Sequence, residues 1–158
     1  MKTSQFGRGL HRLFAIGVIV ASLFATAAWA TLGRDAISVK DDGAHMRAAL
    51  RVSRNDTSYS VHELTTPTGT VVREYVSPTG KVFGVAWRGP YLPDFRQILG
   101  DYFAPVMQAP RNQRQGRGPL EVRQPNVVFQ SGGHMRAFFG RAYVPDMLPK
   151  GVTADVIQ

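Results

Sequence analysis

The sequence predicts an α+β fold, built from an antiparallel three-stranded meander, a C-terminal β-hairpin and one amphipathic helix packed on the sheet. Two near-copies of a turn-and-strand phrase predict the meander: TPTGTV at residues 66–71 and SPTGKV at residues 77–82. Apolar residues at helical spacing predict the helix at about residues 93–104, and β-prone stretches around Ser131-Gly132-Gly133 predict the hairpin. We expect one small domain over residues 31–158.

The first 30 residues have the composition of a secretory signal peptide. Lys2, Arg8 and Arg12 charge the leader, a nearly continuous apolar run follows, and residues 28–30 (AWA) supply an A-x-A cleavage site. The run is shorter than the about 20 residues that a membrane-spanning helix needs, and no positively charged stop follows it. We therefore predict cleavage at this site, export to the periplasm or the medium, and no membrane span in the mature chain.

The composition of the mature chain limits its chemistry. There is no Cys, so the chain has no disulfide, no thiolate nucleophile and no site for lipoprotein acylation. Without the three basic residues of the leader, 16 of the 19 basic residues remain against 11 acidic ones, an excess of five. Since no nucleic-acid motif accompanies this charge, we attribute it to solubility and expect no nucleic-acid partner.

A short helix is predicted near residues 41–51, before the meander. Two acidic residues open this stretch, where they suit a first helical turn, and its apolar residues at 46, 49 and 50 fall on one side at helical spacing.

The two Pro-Thr-Gly turns fix the register that we predict for the meander. In such a turn Pro presets the backbone and Gly accepts a positive φ. Counting outward from the first turn pairs residues that match in charge and bulk: Val61–Tyr75, His62–Glu74, Glu63–Arg73 and Leu64–Val72. Counting from the second turn gives Val71–Trp87, Glu74–Gly84, Tyr75–Phe83 and Val76–Val82.

This register divides the meander into two faces, since side chains alternate along a strand. One face carries Arg73 among large side chains: Tyr59, Val61, Val71, Tyr75, Phe83, Val85 and Trp87. The other carries His62 and Glu74 among Leu64, Val72, Val76, Val82 and Ala86, with Gly84 leaving room beside them. Both faces are apolar enough to need covering, one by the helix and the other by loops or the terminal hairpin.

The helix follows Pro93, which suits a first helical turn. Six apolar residues recur at the spacing of a helix that lies on a sheet: Phe95, Ile98, Leu99, Tyr102, Phe103 and Val106. Pro105 restricts the residue before it, so the helix is predicted to end near Phe103 or Ala104.

A basic loop and a second hairpin follow the helix. Residues 108–119 (QAPRNQRQGRGP) have no large apolar anchor and are rich in Arg, Gln, Gly and Pro, which predicts a flexible loop. Residues 126–130 are then predicted as a strand, residues 131–133 as its turn and residues 134–144 as the returning strand. Residues 152–157 form a tail that either docks or stays free.

The sequence contains no recognisable catalytic or metal-binding pattern. Ser131-Gly132-Gly133 differs from the G-x-S-x-G nucleophile elbow and is better explained as a turn. The mature histidines, His45, His62 and His134, have neither i, i+4 spacing nor a Cys/His pattern. We predict no catalytic residues, no metal and no cofactor.

Two constellations remain as candidate sites. His62 opposite Glu74 is either a titratable pair in a pocket, with a pKa raised by the carboxylate, or an ordinary cross-strand pair. Arg73 among aromatic rings either holds an anion or a glycan carboxylate, or is neutralised by Glu63. The candidate binding residues are accordingly Arg73, Tyr75, Trp87, His62, Glu74, His134 and Arg136.

Three phrases of the chain resemble a bacterial family of small exported proteins known as domain of unknown function 2844 (DUF2844). They are the junction at residues 28–33 (AWATLG), the central stretch at residues 72–87 and the late stretch at residues 131–145 (SGGHMRAFFGRAYVP). The resemblance spans nearly the whole chain. It implies a single-domain exported bacterial protein and carries no catalytic residues with it.

Three functions are compatible with these observations. The first is a non-catalytic binding or accessory module of the bacterial cell envelope, whose partner is a protein, a peptide or an envelope glycan. The second is a small periplasmic hydrolase or metal-dependent enzyme that uses His62, Glu74 and His134. The third is an inhibitor or chaperone-like partner of an exported enzyme.

Overall fold

A seven-stranded antiparallel sheet forms the centre of the molecule. The computed structural model describes residues 32–35, 47, 49–109 and 120–158. The strands are β1 (Ala49–Asn55), β2 (Ser60–Thr65), β3 (Val71–Val76), β4 (Val82–Gly89), β5 (Leu120–Gln124), β6 (Val127–His134) and β7 (Ala137–Tyr143). Their spatial order is β1-β2-β3-β4-β7-β6-β5. The predicted α+β class is confirmed, and the leader and most of the basic loop lie outside the described residues.

The predicted meander and hairpin form one continuous sheet. The meander is β2–β3–β4, the hairpin is β6–β7, and β4 pairs with β7 along six residue pairs. The sheet is larger than predicted, because β1 and β5 extend its two edges. Residues 49–51 of the predicted N-terminal helix belong to β1, so that part of the prediction is wrong. Backbone pairing with β2 stabilises these residues as a strand, and their few apolar residues at helical spacing do not suffice for a helix. The other described residue of that stretch, Arg47, lies in a turn.

The helical segment on the sheet is broken into two helices, α1 (Phe95–Leu99) and α2 (Phe103–Gln108), by a 3-10 turn at Gly100–Tyr102. The Asp94 side chain caps α1 by accepting from two backbone N–H groups. The prediction that Pro105 ends the helix near Phe103 or Ala104 is wrong. Pro105 lies in the first turn of α2, where its missing N–H leaves no helical bond unmade.

The predicted register is right for the first hairpin of the meander and wrong for the second. All four predicted pairs between β2 and β3 are present. Between β3 and β4, Val76 pairs with Val82 as predicted, but Tyr75 pairs with Gly84, so Phe83 is an extra residue that forms a β-bulge. A one-residue slip turns every later side chain to the opposite face.

The turn of the second hairpin lies at Met135 and Arg136, not at Ser131-Gly132-Gly133. Both glycines belong to β6, where Gly133 pairs with Phe138. A Cβ atom on Gly133 would strike the backbone of Ala137 and Phe138, so the glycine permits a close approach of the strands. Arg136 provides the positive φ of the turn, at 63°.

Each face of the sheet is covered by a different part of the chain. The helix face packs against α1 and α2 through Leu64, Val72, Val85, Trp87 and Phe129. The strap face packs against residues 152–158, which we call the C-terminal strap, through Tyr59, Val61, Tyr75, Phe83, Val128 and Tyr143. The tail therefore docks. Short 3-10 turns at Pro145–Met147 and Ala154–Val156 shape its path.

Ile157 anchors the strap in the gap that Gly84 leaves on the strap face. The Ile157 side chain is fully buried. A Cβ atom added to Gly84 would lie 2.6 Å from Ile157 Cδ1 and 3.2 Å from Ile157 Cγ1. The strap thus fills the space at Gly84. The prediction that this space lies beside His62 and Glu74 is wrong, because the bulge turns Gly84 to the strap face.

Among the described residues, no helix has the length and apolar content needed to cross a bilayer.

We predict that Gly84 and Ile157 are energetically coupled. Gly84→Ala is expected to destabilise the protein by about 1–3 kcal/mol through overpacking, and Ile157→Val by about 0.5–1.5 kcal/mol through a lost methyl group. Because valine removes the Cδ1 atom that the new methyl group would strike, the double variant is expected to cost about 1 kcal/mol less than the sum. Urea unfolding of the four proteins measures this coupling, and strictly additive costs would contradict the docking of Ile157 against Gly84.

Candidate functional site

A cleft of about 370 Å³ opens on the strap face beside the end of the strap. We call it the strap cleft. Its lining includes Arg88, Phe139 and Arg141 of β4 and β7, together with Ile157 and Gln158 of the strap. The remaining lining residues belong to β4, β5, β6 and β7: Trp87, Glu121, Gln130, Ser131, Gly132 and Gly140. The lining surface is largely apolar, and its charged members are Arg88, Glu121 and Arg141.

A second depression of about 370 Å³ lies on the other side of Gln158, and we call it the arginine groove. Its lining includes three cationic side chains, Arg54, Arg73 and Arg88, together with Tyr59 and Tyr75. Arg88 and Gln158 line both cavities, so the end of the strap separates two adjoining openings on one face of the sheet.

Side chains of the sheet hold the strap by its backbone. The Tyr75 hydroxyl donates to the Gln158 carbonyl oxygen at 2.9 Å and accepts from the Gln158 N–H at 3.0 Å. Arg73 Nη1 donates to the same carbonyl at 3.2 Å. Arg141 Nη1 donates to the carbonyl oxygens of Ala154 and Ile157 at 2.9 and 3.4 Å. This face therefore already binds one polypeptide segment, through main-chain atoms that every sequence possesses.

A row of hydrogen-bonded side chains forms the polar side of the strap cleft. Arg141 Nε donates to Gln130 Oε1 at 2.7 Å, and Gln130 Nε2 donates to Glu121 Oε1 at 2.9 Å. Arg123 completes the row with an ion pair to Glu121 at 2.6 Å. The hydrogen bond from Gln130 and the charge of Arg123 lower the pKa of Glu121. The carboxylate is thus already neutralised by its neighbours.

Arg88 differs from the other arginines of the strap face. Arg73 is paired with Glu63 at 2.9 Å, as the first register predicted. Arg54 donates to the Tyr59 hydroxyl at 3.0 Å. Arg88 is exposed and makes no hydrogen bond or ion pair within the part of the chain that the structure describes. Its guanidinium group is therefore available to a ligand carboxylate.

Arg73 and Tyr75 lie together on the strap face as predicted, but Trp87 does not lie with them. The bulge at Phe83 turns Trp87 toward the helix face. There the indole packs between Phe95 and Phe129, with ring centroids 5.1 and 5.5 Å away. Trp87 is buried core, and only its edge reaches the floor of the strap cleft.

His62 and Glu74 form the predicted cross-strand pair, on the helix side of the meander. Glu74 is almost fully buried, with 1% of its surface exposed. His62 Nε2 lies 3.4 Å from Ser60 Oγ, and the buried Nδ1 atom has no hydrogen-bond partner among the described residues. Burial lowers the pKa of His62. The raised pKa that the titratable-pair alternative implied for His62 is therefore not found.

His134 and Arg136 lie at the exposed tip of the β6–β7 hairpin, far from the other candidates. Four strand spacings separate β2 from β6, which places His134 about 19 Å across the sheet from His62. His62, Glu74 and His134 consequently do not converge on one reacting atom. The described residues also contain no group of three His, Asp or Glu side chains that could hold a metal ion.

Of the eleven residues that line the strap cleft, sequence reasoning named only Trp87 as a candidate, and it missed Arg88, Phe139 and Gln158 among the other ten. Arg88 lies near the end of β4, and the sheet face on which it lies depends on the bulge. Phe139 is 45% exposed although it lies in the middle of β7. The sequence held a partial signal, because a glycine within a strand, as at 132 and 140, often marks the close approach of other groups. At Gly140 the group that approaches is the Trp87 ring.

We predict that His62 makes stability depend on pH. Because burial holds the pKa of His62 below its ordinary value of 6.5, the unfolded chain binds a proton more readily than the folded protein. The contribution of neutral His62 to the free energy of unfolding is therefore fully present above pH 6.5. It is lost as the pH falls below 6.5 toward the lower pKa of the folded protein. His62→Gln is expected to flatten the free energy of unfolding against pH between about pH 7 and pH 5.

Urea unfolding at a series of pH values measures this slope. His134→Gln serves as the matched control, since this imidazole is exposed in the folded protein. An equal slope in His62→Gln and the unaltered protein would contradict the assignment.

The family model described as "Protein of unknown function (DUF2844)" matches residues 28–157. No curated protein and no solved structure matches the chain. The matched residues include all seven strands, both helices and the strap apart from Gln158. The chain belongs to the DUF2844 family.

Proposed function

We propose that this protein is a non-catalytic binding module of the bacterial cell envelope, and that it binds an acidic peptide segment of a partner protein in the strap cleft. The observation that carries the proposal is the strap cleft itself. Arg88, Phe139 and the strap residues Ile157 and Gln158 all line it. Its volume of about 370 Å³ lies within the range of specific ligand sites.

A peptide suits this face because the face already holds a peptide. Tyr75, Arg73 and Arg141 recognise the strap through carbonyl oxygens and one N–H group. An incoming segment presents the same groups. The half-exposed ring of Phe139 offers an apolar contact for one large side chain of that segment.

The charge of the face favours an acidic segment. Arg54, Arg73, Arg88 and Arg141 line the two openings. The carboxylates of Glu63 and Glu121, which would repel an acidic ligand, are held in ion pairs with Arg73 and Arg123. A carboxylate at Arg88 would form a charge-assisted hydrogen bond, which is stronger than a neutral one.

The proposed location in the cell envelope is inferred from the leader. A charged start, an apolar run and an A-x-A site support export. The inhibitor or chaperone-like alternative shares the same cleft and differs only in the identity of the partner. No arrangement among the described residues favours the hydrolase alternative over binding.

Fluorescence anisotropy tests the proposal with a labelled hexapeptide library that carries two carboxylates and one large apolar residue. A matched library replaces the carboxylates with amides. We expect binding to the acidic library, weakened at least about tenfold by Arg88→Glu, because one charge-assisted contact is worth about that factor.

The matched control is Lys150→Glu, which makes the same change of charge at an exposed residue outside both cavities. This variant is expected to bind as the unaltered protein does. Equal losses in the two variants would show that only net charge matters, and absence of binding to the acidic library would refute the proposed ligand.

A further inference from the structure

Exposed apolar side chains gather at one end of the sheet. Four large apolar residues are exposed among the described residues: Tyr91 at 53%, Leu92 at 47%, Met135 at 87% and Phe139 at 45%. Phe139 belongs to the strap cleft. The other three lie in connections beyond the ends of strands, where polar residues are usual.

The register places these three residues at the same end of the molecule. Phe138 of β7 pairs with Gly89 of β4 on one side and with Gly133 of β6 on the other. Residues 91–92 and residues 135–136 therefore follow, by two to three positions in the chain, residues that lie on one line across the sheet. We call Tyr91, Leu92, Met135 and Arg136 the apolar tip.

The backbone presents these side chains from fixed positions. The buried Thr70 hydroxyl donates to the Tyr91 carbonyl oxygen at 2.8 Å and lies 3.4 Å from the Tyr91 nitrogen. Prolines at 90 and 93 restrict the same connection. On the other side, the two-residue turn at Met135 and Arg136 is set by the closely paired ends of β6 and β7. The exposure is therefore built into the fold.

Among the described residues of the apolar tip and those next to it in sequence or along β4, two carry a positive charge, Arg136 and Arg88. Arg136 is next to Met135, and Arg88 lies one residue before the end of β4, the strand that pairs with β7. Asp94 is the nearest acidic residue in sequence to Leu92, and its carboxylate accepts hydrogen bonds from the backbone of α1. Apolar side chains flanked by guanidinium groups match a lipid headgroup layer that carries negative charge.

We propose that the apolar tip docks on an anionic lipid surface. Tyr91, Leu92 and Met135 enter the boundary between headgroups and acyl chains, while Arg136 stays at the level of the lipid phosphates. A membrane fits better than a protein partner, because these side chains project from turns and line neither the strap cleft nor the arginine groove. This contact is independent of the peptide site.

Vesicle co-sedimentation tests the proposal with the protein purified after export, so that its leader does not contribute. The probes are vesicles of phosphatidylcholine alone and vesicles with about 30 mol% phosphatidylglycerol, an anionic lipid. We expect binding to the anionic vesicles that is at least about fivefold stronger than binding to neutral ones and that weakens with salt.

Two variants separate the apolar and the electrostatic contributions. Leu92→Glu combined with Met135→Glu is expected to reduce binding at least about tenfold, and Arg136→Gln about threefold to fivefold. The control is Ala104→Glu combined with Lys150→Gln, which lowers the charge at exposed sites outside the apolar tip. Circular dichroism and cooperative urea unfolding confirm that each variant is folded. Binding of the acidic peptide library is measured as a separate readout.

Three results would overturn the proposal: no sedimentation with anionic vesicles, equal sedimentation with neutral ones, or equal losses in the tip and control variants. Retained peptide binding in a protein that fails to bind vesicles would leave the proposed function standing, so the two proposals fail separately.

Discussion

The β-bulge at Phe83 decides which side chains share a face of this sheet. Because β4 carries one more residue than β3 at this point, every later residue of β4 points to the face opposite to the one that an unbroken register gives. Trp87 joins the core beneath the helices, and Arg88 reaches the strap face. Gly84 also turns to that face, where its missing side chain leaves the space that Ile157 fills.

The sequence predicted features that depend on local chemistry. The Pro-Thr-Gly turn sets the first hairpin, so the pairs His62–Glu74 and Glu63–Arg73 are present as predicted. The bulge was not predicted, because it depends on packing against both faces of a central strand and no turn residue in the sequence indicates it. Gly132 and Gly133 were misassigned for a related reason, since glycine serves close strand approach as well as turns.

The candidate site was predictable only in part. Arg73 and Tyr75 were identified from their charge and bulk, but their contacts with Gln158 join residues more than 80 positions apart. No residue near Arg88 in the sequence indicated a binding role for it, because that role depends on Gln158 of the strap, which lines the same cavities. The strap thus has two effects: it completes the cover of the second sheet face and creates a cleft at its own margin.

Backbone amide NMR tests the central claim, that this margin is the binding site, most directly. A ¹⁵N-labelled sample would be titrated with an acidic hexapeptide, and its amide shifts mapped onto the sheet. The account predicts that the largest shifts fall on Arg88, Gly132, Phe139 and Gln158, which line the strap cleft. Shifts concentrated instead on α1, α2 or the helix face would contradict it.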